Sequence, residues 1–431
     1  MATNEITVLD DTMGIDTSLV EYEFKRIHTE SRDINGGGPI DFDILNENAF
    51  TVPSDSYLLI EGRLTKDDDT AYADGDEVAL VKEGILHLFR QIRYQINDKD
   101  VESIFYPGVC QNMLSYLLED EGYDKSTSLI HCGVKDDHAN ASTANNSGFA
   151  RRKIFLLNAT TKGTFSFMIP LRRLFGFFRD YNKVVFGTTQ RLTLTHKGTS
   201  NDAIFRAGGD AGKVNLTNIY WMVPHAIGTD EVNLALYNRI RSKKQIDIAY
   251  RGITCTRNEV QQDTTFMWRL GARQAPEVPR YVLIAFQTNK ENNQEANSSV
   301  FNHVSLTKLR VMVNEKQYPS IEYTANFGEH QFSRVYMDAM NFKGKFFNVE
   351  STEKEITSAP GMSPISYKEL FPVFVVDVSK QVEKIKHTLS EVTIHAEFGA
   401  AVPANTRAFC TLISDRFIKL ESDGNRLALV Q

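Results

Sequence analysis

The chain has 431 residues and a net charge of −7, with 42% hydrophobic and 24% charged residues. Its length exceeds the roughly 250–300 residues that one core usually serves, so we expect two folded domains. No apolar run approaches the ~20 residues that a membrane-spanning helix requires, which argues against a transmembrane segment. Four widely spaced cysteines give no disulfide pattern and indicate synthesis in a reducing compartment.

Charge along the chain argues against tight binding to nucleic acid. The first 24 residues contain six acidic side chains and no Lys or Arg. A segment that neutralises phosphates needs clustered cations, and the reverse is found here. Short basic groups at 151–153 and 239–244 are interpreted as solvated faces.

The pattern in chain order is mainly β, because apolar and polar residues alternate in many short runs bounded by Gly, Asn and Pro. Two short helices are predicted, at Pro107–Leu118 and at Asp230–Arg241. Many strands with few helices indicate a sandwich or jelly-roll class. The predicted strands are Ser56–Leu64, Phe165–Leu171, Val184–Thr195, Tyr281–Gln287, Phe371–Val378 and Glu391–Phe398.

Two polar segments, Glu121–Gly148 and Thr288–Ser299, are predicted to be exposed surface loops. Both are rich in Asn, Ser, Asp and Gly, whose backbone groups are costly to bury in a loop. Asp136 and the run that begins at Lys290 are therefore expected to face solvent.

One nine-residue pattern occurs twice, at Ile92–Asp100 and at Leu309–Gln317, with an offset of 217 residues. In each copy, alternate apolar residues would share a sheet face, and an Asn follows that tolerates a tight hairpin turn. A weaker pair, Phe165–Leu171 and Pro372–Val378, is offset by 207 residues. Offsets of about half the length favour two similar β domains in tandem. The repeat is marked by Ile92, Arg93, Asn97, Leu309, Arg310 and Asn314.

A series of longer segments in collinear order points to one family. The run EGILHLFRQIRYQINDKDVES starts at Glu83, and FYPGVCQNMLSYLLEDEGYD starts at Phe105. Further runs are FMIPLRRLFGFFRDYNKVVFGTTQRLTLT from Phe167 and FNHVSLTKLRVMVNEKQYPS from Phe301, with two closing strands at 371–381 and 391–420. Together the series, which covers roughly residues 50–420, resembles double jelly-roll major capsid proteins of nucleocytoplasmic large DNA viruses, Polinton-like viruses and adintoviruses, and capsid-like proteins of virus-derived elements in invertebrates.

The resemblance implies an all-β fold of two tandem jelly-roll β-sandwiches with a few short helices and long loops. It implies a homotrimeric capsomer of pseudo-sixfold outline in an icosahedral shell. Partners would be neighbouring capsomers and penton or minor capsid proteins, with synthesis in the host cytoplasm or nucleus. The expected boundaries are an arm at 1–39, a first roll at 40–205, a linker at 206–214, a second roll at 215–425 and a tail at 426–431.

Catalytic, cofactor and metal sites are not expected. The segment Gly208–Lys213 resembles a phosphate loop, but Ala207 stands where the first glycine is required and Val214 where a hydroxyl is required. The His395-Ala396-Glu397 triplet lacks the second motif of a zinc deaminase, and a facial-triad oxygenase would need a later histidine. The densest set of possible metal ligands falls in a polar segment that is interpreted as a solvated loop: His131, Cys132, Asp136, Asp137 and His138.

A carbohydrate-binding or attachment protein with a β-sandwich fold is the alternative. It would share the strand pattern without requiring two rolls at a half-length offset. Trp221 and Trp268 could serve such a protein as sugar platforms, although core or interface positions are favoured.

Overall fold

The computed structural model describes residues 19–45, 50–243, 245–273, 277–348, 361–381, 390–422 and 427–430. Strands dominate these ranges. Those of the first half are β1 (Leu19–His28), β2 (Gly38–Ile44), β3 (Tyr57–Lys66), β4 (Val78–Leu80), β5 (Phe89–Ile96), β6 (Lys99–Phe105), β7 (Thr164–Pro170), β8 (Gln190–His196), β9 (Ile204–Arg206) and β10 (Gly212–Gly228). Those of the second half are β11 (Ile246–Val260), β12 (Thr265–Arg273), β13 (Val278–Thr288), β14 (Leu306–Val313), β15 (Lys316–Thr324), β16 (Phe374–Asp377), β17 (Ser390–Phe398), β18 (Thr406–Ser422) and β19 (Leu427–Val430).

Helices lie in the connections between strands. A short 3-10 helix at Pro53–Asp55 precedes β3. The α-helices are α1 (Gly84–His87), α2 (Pro107–Leu118), α3 (Glu121–Lys125), α4 (Ser147–Leu156), α5 (Leu171–Leu174), α6 (Gly176–Asp180), α7 (Asp230–Arg241), α8 (Ser333–Met340), α9 (Phe342–Phe347) and α10 (Pro364–Leu370).

The strand order is the same in the two halves. The first half forms sheets β1-β10-β3-β7 and β2-β8-β5-β6, with β4 and β9 as a separate pair. The second half forms β11-β18-β13-β16 and β12-β17-β14-β15, with β19 beside β18. If the eight sheet strands of each half are numbered in sequence, both halves read 1-8-3-6 and 2-7-4-5. This antiparallel order is that of a jelly roll, and the predicted all-β class with two rolls is confirmed.

Strand pairing extends across the expected boundaries of the first roll. Residues 19–28, expected in an arm, form β1, which pairs with the far end of β10. The expected linker at 206–214 contains the start of β10, which pairs with β3 and continues to Gly228 inside the expected second roll. The 17-residue strand β10 thus lies between β1 and β3 in one sheet. Within the expected tail, residues 427–430 pair with β18.

One hydrophobic core runs through both rolls. It includes Trp221 and Tyr94 from the first roll, Tyr250 and Ile284 from the second, and Phe177 between them. Alternating burial along the strands, as in β10 and β14, directs one face of each sheet into this core. Because the core is continuous, the two rolls form one packed unit.

Candidate functional site

The first candidate site is the joint between the rolls, which is centred on Glu102 of β6. The Glu102 side chain is buried, and its Oε1 accepts hydrogen bonds from the backbone N of Ile253 at 2.6 Å and of Gly176 at 3.2 Å. Its Oε2 accepts from the backbone N of Phe177 at 3.0 Å. Burial raises the pKa of Glu102, and Arg416 and the three N–H donors oppose that rise. One carboxylate of the first roll thus holds backbone donors from α6 and from β11 of the second roll.

Close backbone contact around Glu102 explains the glycine at the start of α6. A methyl group on Gly176 would come within 1.6 Å of the carbonyl oxygen of Arg251. The Arg251 guanidinium and backbone N both bond to Asp180 at 2.8 Å, so β11 is fixed to the end of α6. Beside them, the Tyr250 hydroxyl donates to the Val101 carbonyl at 2.6 Å. These contacts hold the rolls in a fixed relative position.

A second joint is built on a buried ion pair. Arg152 of α4 and Asp136 are almost fully buried, and the guanidinium lies 2.7 Å from the carboxylate. The other Asp136 oxygen accepts from Nδ2 of Asn297, which belongs to the second roll, at 2.8 Å. Asn146 caps α4 and also donates to Asp136 at 2.8 Å. The carboxylate therefore connects the long segment after β6 to the second roll.

These contacts correct the prediction that both polar segments face solvent. Asp136 is 1% exposed and Lys290 is 9% exposed. Asp136 is buried because Arg152 and Asn297, the latter 161 positions away, contact its carboxylate, and Lys290 is buried with its amine donating to the Val300 carbonyl. Only parts of these segments are exposed, among them residues 137–140.

A charged cluster lies next to this joint. Lys82, which is 1% exposed, contacts Glu119 at 3.1 Å and Glu83 at 3.5 Å. Arg173 contacts the same two carboxylates. Burial would raise the pKa of Glu119, but Lys82 and Arg173 outweigh it and lower that pKa. Two cations and two carboxylates neutralise one another, and the cluster is interpreted as structural.

Two buried histidines make the fold sensitive to acid. Burial, with a smaller contribution from Lys197, lowers the pKa of His87 to about 3, and burial with Arg173 lowers that of His131 to about 4. His87 is fixed between Asn112, 2.9 Å away, and Gly108, where a methyl group would meet the ring at 2.5 Å. The folded protein holds both rings neutral, whereas the unfolded chain protonates them near pH 6.5.

We expect stability to fall as the pH is lowered from 7 to 5. A histidine whose pKa is depressed on folding binds fewer protons in the folded state, so its contribution is complete above pH 6.5 and decreases below it. For His87 the free energy of unfolding should be about 2 kcal/mol lower at pH 5 than at pH 7. Urea unfolding midpoints across this range measure it. The slope with pH should be smaller in His87→Gln, and equal slopes in both proteins would contradict the assignment.

The second candidate site is the exposed strand β1. None of its ten residues is buried, and Val20 is 69% exposed. On one face, Val20, Tyr22 and Phe24 project apolar side chains, and Glu21 and Glu23 alternate with them on the other. Within the described ranges, β1 pairs only with β10 and lies at the edge of its sheet. An exposed apolar edge strand is a site for pairing with another chain.

Helix α7 carries further exposed apolar side chains. It begins directly after β10, whose Gly228 pairs with Leu19 of β1. Leu234 is 60% exposed and Tyr237 is 43% exposed. Apolar patches of this kind on a folded chain mark sites of protein contact. We call this region the β1–α7 surface and define it by Val20, Tyr22, Phe24, Leu234 and Tyr237.

The repeat residues lie on the β5–β6 hairpin of the first roll and the β14–β15 hairpin of the second. Ile92 of β5 and Leu309 of β14 are both fully buried. Asn97 follows β5 at a φ of 50°, and its backbone N donates to the Thr189 carbonyl at 3.0 Å. Asn314 follows β14 at a φ of 54°, and its backbone N donates to the Glu391 carbonyl at 2.8 Å.

The two repeat arginines lie on the opposite face of these hairpins. Arg93 lies 3.9 Å from Asp100 of β6, and Arg310 lies 3.4 Å from Glu322 of β15. Both pairs are partly exposed and contribute less than about 1 kcal/mol each. The arginines therefore face outward and do not form a binding site with the asparagines.

The residues considered for metal or phosphate chemistry have other contacts. The hydroxyl of Tyr123 lies 2.9 Å from Nδ1 of His131, and Cys132 is buried. Gly212 and Lys213 are part of β10, and His395 and Glu397 lie in β17. Within the described ranges, no three His, Cys, Asp or Glu side chains meet as a metal-binding group would require.

Neither tryptophan forms a sugar platform. Trp221 is fully buried and Trp268 is 7% exposed. In the described part of the chain, no helix has both the length and the apolarity to cross a membrane.

Comparison with known proteins identifies the family. The model of the double jelly roll-like domain matches residues 78–418. The chain belongs to this family. No curated protein sequence matches the chain.

Solved structures share the double jelly roll at low sequence identity. The Faustovirus major capsid protein has a TM-score of 0.57 and 9% identity, over 96% of this chain and 92% of that one. The mavirus major capsid protein has a TM-score of 0.54 and 12% identity, over 100% and 93%. A chain of the PBCV-1 virus capsid has a TM-score of 0.57 and 10% identity, over 98% and 99%. At such identities the likeness is one of fold.

Proposed function

We propose that this protein is a major capsid protein, a structural subunit of a virus or virus-derived shell with no enzymatic role. The observation that carries the proposal is the pair of rolls with the same strand order, fused through one core. The family match and the fold shared with capsid proteins of Faustovirus and mavirus support it.

The assembled form is proposed to be a homotrimer. Three chains with two similar rolls each present six lobes around a threefold axis, and such closed symmetry suits a tile of an icosahedral shell. In this proposal the virion capsid is the site of function, with synthesis in the host cytoplasm or nucleus. Penton or minor capsid proteins are proposed partners, and direct binding of the genome is expected to be weak.

We assign the β1–α7 surface to contact with a second copy of the chain. Its apolar side chains are exposed on a single chain, and among the described strands β1 lies at the edge of its sheet, where another chain could pair with it. We also propose that the hairpins containing Asn97 and Asn314 are equivalent parts of a duplication. Superposition of the two rolls should place these asparagines together, and a fit that places them on unrelated strands would contradict it.

Mass measurement tests the proposed assembly. Sedimentation of the purified protein at low micromolar concentration should show a species three times the 48.8 kDa of the chain, and negative-stain microscopy should show six-lobed particles. A monodisperse monomer that binds glycans on an array would favour the alternative, a carbohydrate-binding or attachment protein.

Charge placed on the β1–α7 surface should dissociate the trimer. The exchange Val20→Glu with Leu234→Glu buries two carboxylates in the contact, which is strongly unfavourable without partners. We expect at least a hundredfold weaker association, because each 1.4 kcal/mol is a factor of ten. The unfolding midpoint of the monomer should stay unchanged, since both positions are exposed. The matched control is Glu21→Gln on the opposite face of β1. A trimer that persists in the double variant would place the contact elsewhere.

A further inference from the structure

A cavity of about 260 Å³ opens in the seam between the two rolls. The first roll contributes the start of β5 and the loop after β8. The second roll contributes the end of β11, the loop after β13 and the start of β18. The cavity is separate from the Glu102 and Asp136 joints and from the β1–α7 surface, and its lining, which includes His87 and Lys290, comes from both rolls.

The lining is positively charged, although the chain as a whole carries −7. Five Lys or Arg side chains line it against two carboxylates, so cations exceed acids by three. The basic residues are Arg90, Lys197, Arg257, Lys290 and Arg407, and the acidic residues are Asp202 and Glu291.

Three of the cations are paired with those two carboxylates. Lys197 contacts Asp202 at 2.8 Å. Arg257 contacts Glu291 at 2.6 Å, and Arg407 contacts the same carboxylate. Both acids are therefore already engaged, and neither is free to neutralise a further cation.

Two cations remain without an acidic partner. Arg90 is exposed at the cavity, and no carboxylate of the described residues lies within 4 Å of it. Lys290 is 9% exposed, and its amine donates to the Val300 carbonyl at 2.7 Å, which leaves two of its three donors unused. In addition, the buried Nε of Arg407 lacks a hydrogen-bond partner. Buried donors of this kind normally have a hydrogen-bond acceptor, so a ligand with acceptor oxygens would satisfy the donors that line the cavity.

The cavity floor is aromatic and fixed in place. Tyr106 and Phe409 pack edge to face with centroids 5.9 Å apart, and the Arg257 guanidinium lies 4.9 Å above the Tyr106 ring. Because Arg257 is held by both Tyr106 and Glu291, its position does not depend on an occupant. A preformed cationic cavity loses little side-chain freedom when it binds a ligand.

We propose that this cavity binds a small, multiply charged oxyanion of the phosphate or sulfate class, held by cations of both rolls. Charge-assisted hydrogen bonds from Arg90, Lys290 and Nε of Arg407 would satisfy the unused donors. The volume lies below the roughly 300–1,000 Å³ of sites for drug-sized ligands, which favours a compact anion over a nucleotide. An anion at this position joins the rolls at a place where cations otherwise repel one another.

Calorimetric titration with tripolyphosphate tests the proposal. We expect one saturable site per chain in the purified protein. The variant Arg90→Gln should weaken binding at least tenfold, and its exposed position leaves folding unaffected. Lys290→Met should have a similar effect. The matched control is Lys99→Gln, which removes an exposed cation at the turn end of the β5–β6 hairpin, the end opposite Arg90, and should bind as the unaltered protein does.

The same titration contains the results that would overturn the proposal. The proposal is wrong if the binding heat does not saturate near one anion per chain. It is also wrong if both Arg90→Gln and Lys290→Met bind the anion with unchanged affinity. A 20-nucleotide single-stranded DNA is the third arm. If it binds while tripolyphosphate does not, the surface is one for nucleic acid and the small-anion site is wrong.

Dependence on pH gives an independent readout. Burial lowers the pKa of Lys290 to about 7, and a bound anion favours its protonated form. Sulfate keeps its charge from pH 6 to 9, so its affinity should fall as the pH rises above about 7 and should be flat in Lys290→Met. The same slope in both proteins would contradict the role of Lys290. The other charged or titratable groups that face the cavity are His87, unprotonated in this range, and Arg90, Tyr106, Lys197, Asp202, Arg257, Glu291 and Arg407.

Discussion

Replacement of Glu102 by leucine is expected to lower the free energy of unfolding by about 3–5 kcal/mol. The change leaves the backbone N–H groups of Gly176, Phe177 and Ile253 buried without an acceptor. Each unsatisfied buried donor costs roughly 1–3 kcal/mol. One of the three belongs to the second roll, so the loss affects the joint between the rolls as well as the first roll itself.

Urea unfolding at neutral pH measures this effect, with two comparison variants. Asp100→Ala removes an exposed carboxylate from the same strand and should cost less than about 1 kcal/mol. Glu102→Gln keeps one acceptor oxygen, so its loss of unfolding free energy should lie between those of Glu102→Leu and Asp100→Ala. If Glu102→Leu were no less stable than Asp100→Ala, the carboxylate would not be holding the joint.

Removal of Asp136 should have a comparable effect for a different reason. Asp136→Ala leaves the Arg152 guanidinium, 2% exposed, without its carboxylate. Breaking a buried pair by removing one partner costs about 3–5 kcal/mol. The contact from Asn297 is lost as well, so the segment after β6 is also released from the second roll.

The neighbouring residue provides the matched control. Asp137 is exposed and accepts from the backbone N of Ser147 at the start of α4, so Asp137→Ala should cost about 1 kcal/mol as a lost cap. Joint replacement with Arg152→Met should recover part of the stability, since removal of both partners leaves no buried charge. Equal midpoints for Asp136→Ala and Asp137→Ala would show that the pair is not structurally important.

Local structure was determined by the sequence to a large extent. The predicted helices at Pro107–Leu118 and Asp230–Arg241 coincide with α2 and α7. Their signals are a proline in the first turn of one and acids in the first turn of the other, and both act within a few residues. Strands such as Glu391–Phe398 were found to within one residue because alternation is also a local pattern. The double jelly roll itself was implied by the resemblance of the ordered segments to double jelly-roll capsid proteins.

Only the tertiary structure decided where distant segments meet. Residues 19–28 were expected within an arm, and they form β1 through pairing with β10, about 200 residues later. Asp136 and Lys290 were expected in solvent because their own segments are polar. Their burial depends on Arg152, Asn297 and Val300, partners that the fold supplies. A polar side chain is buried when its hydrogen bonds are satisfied, and a linear sequence does not show which distant residues will satisfy them.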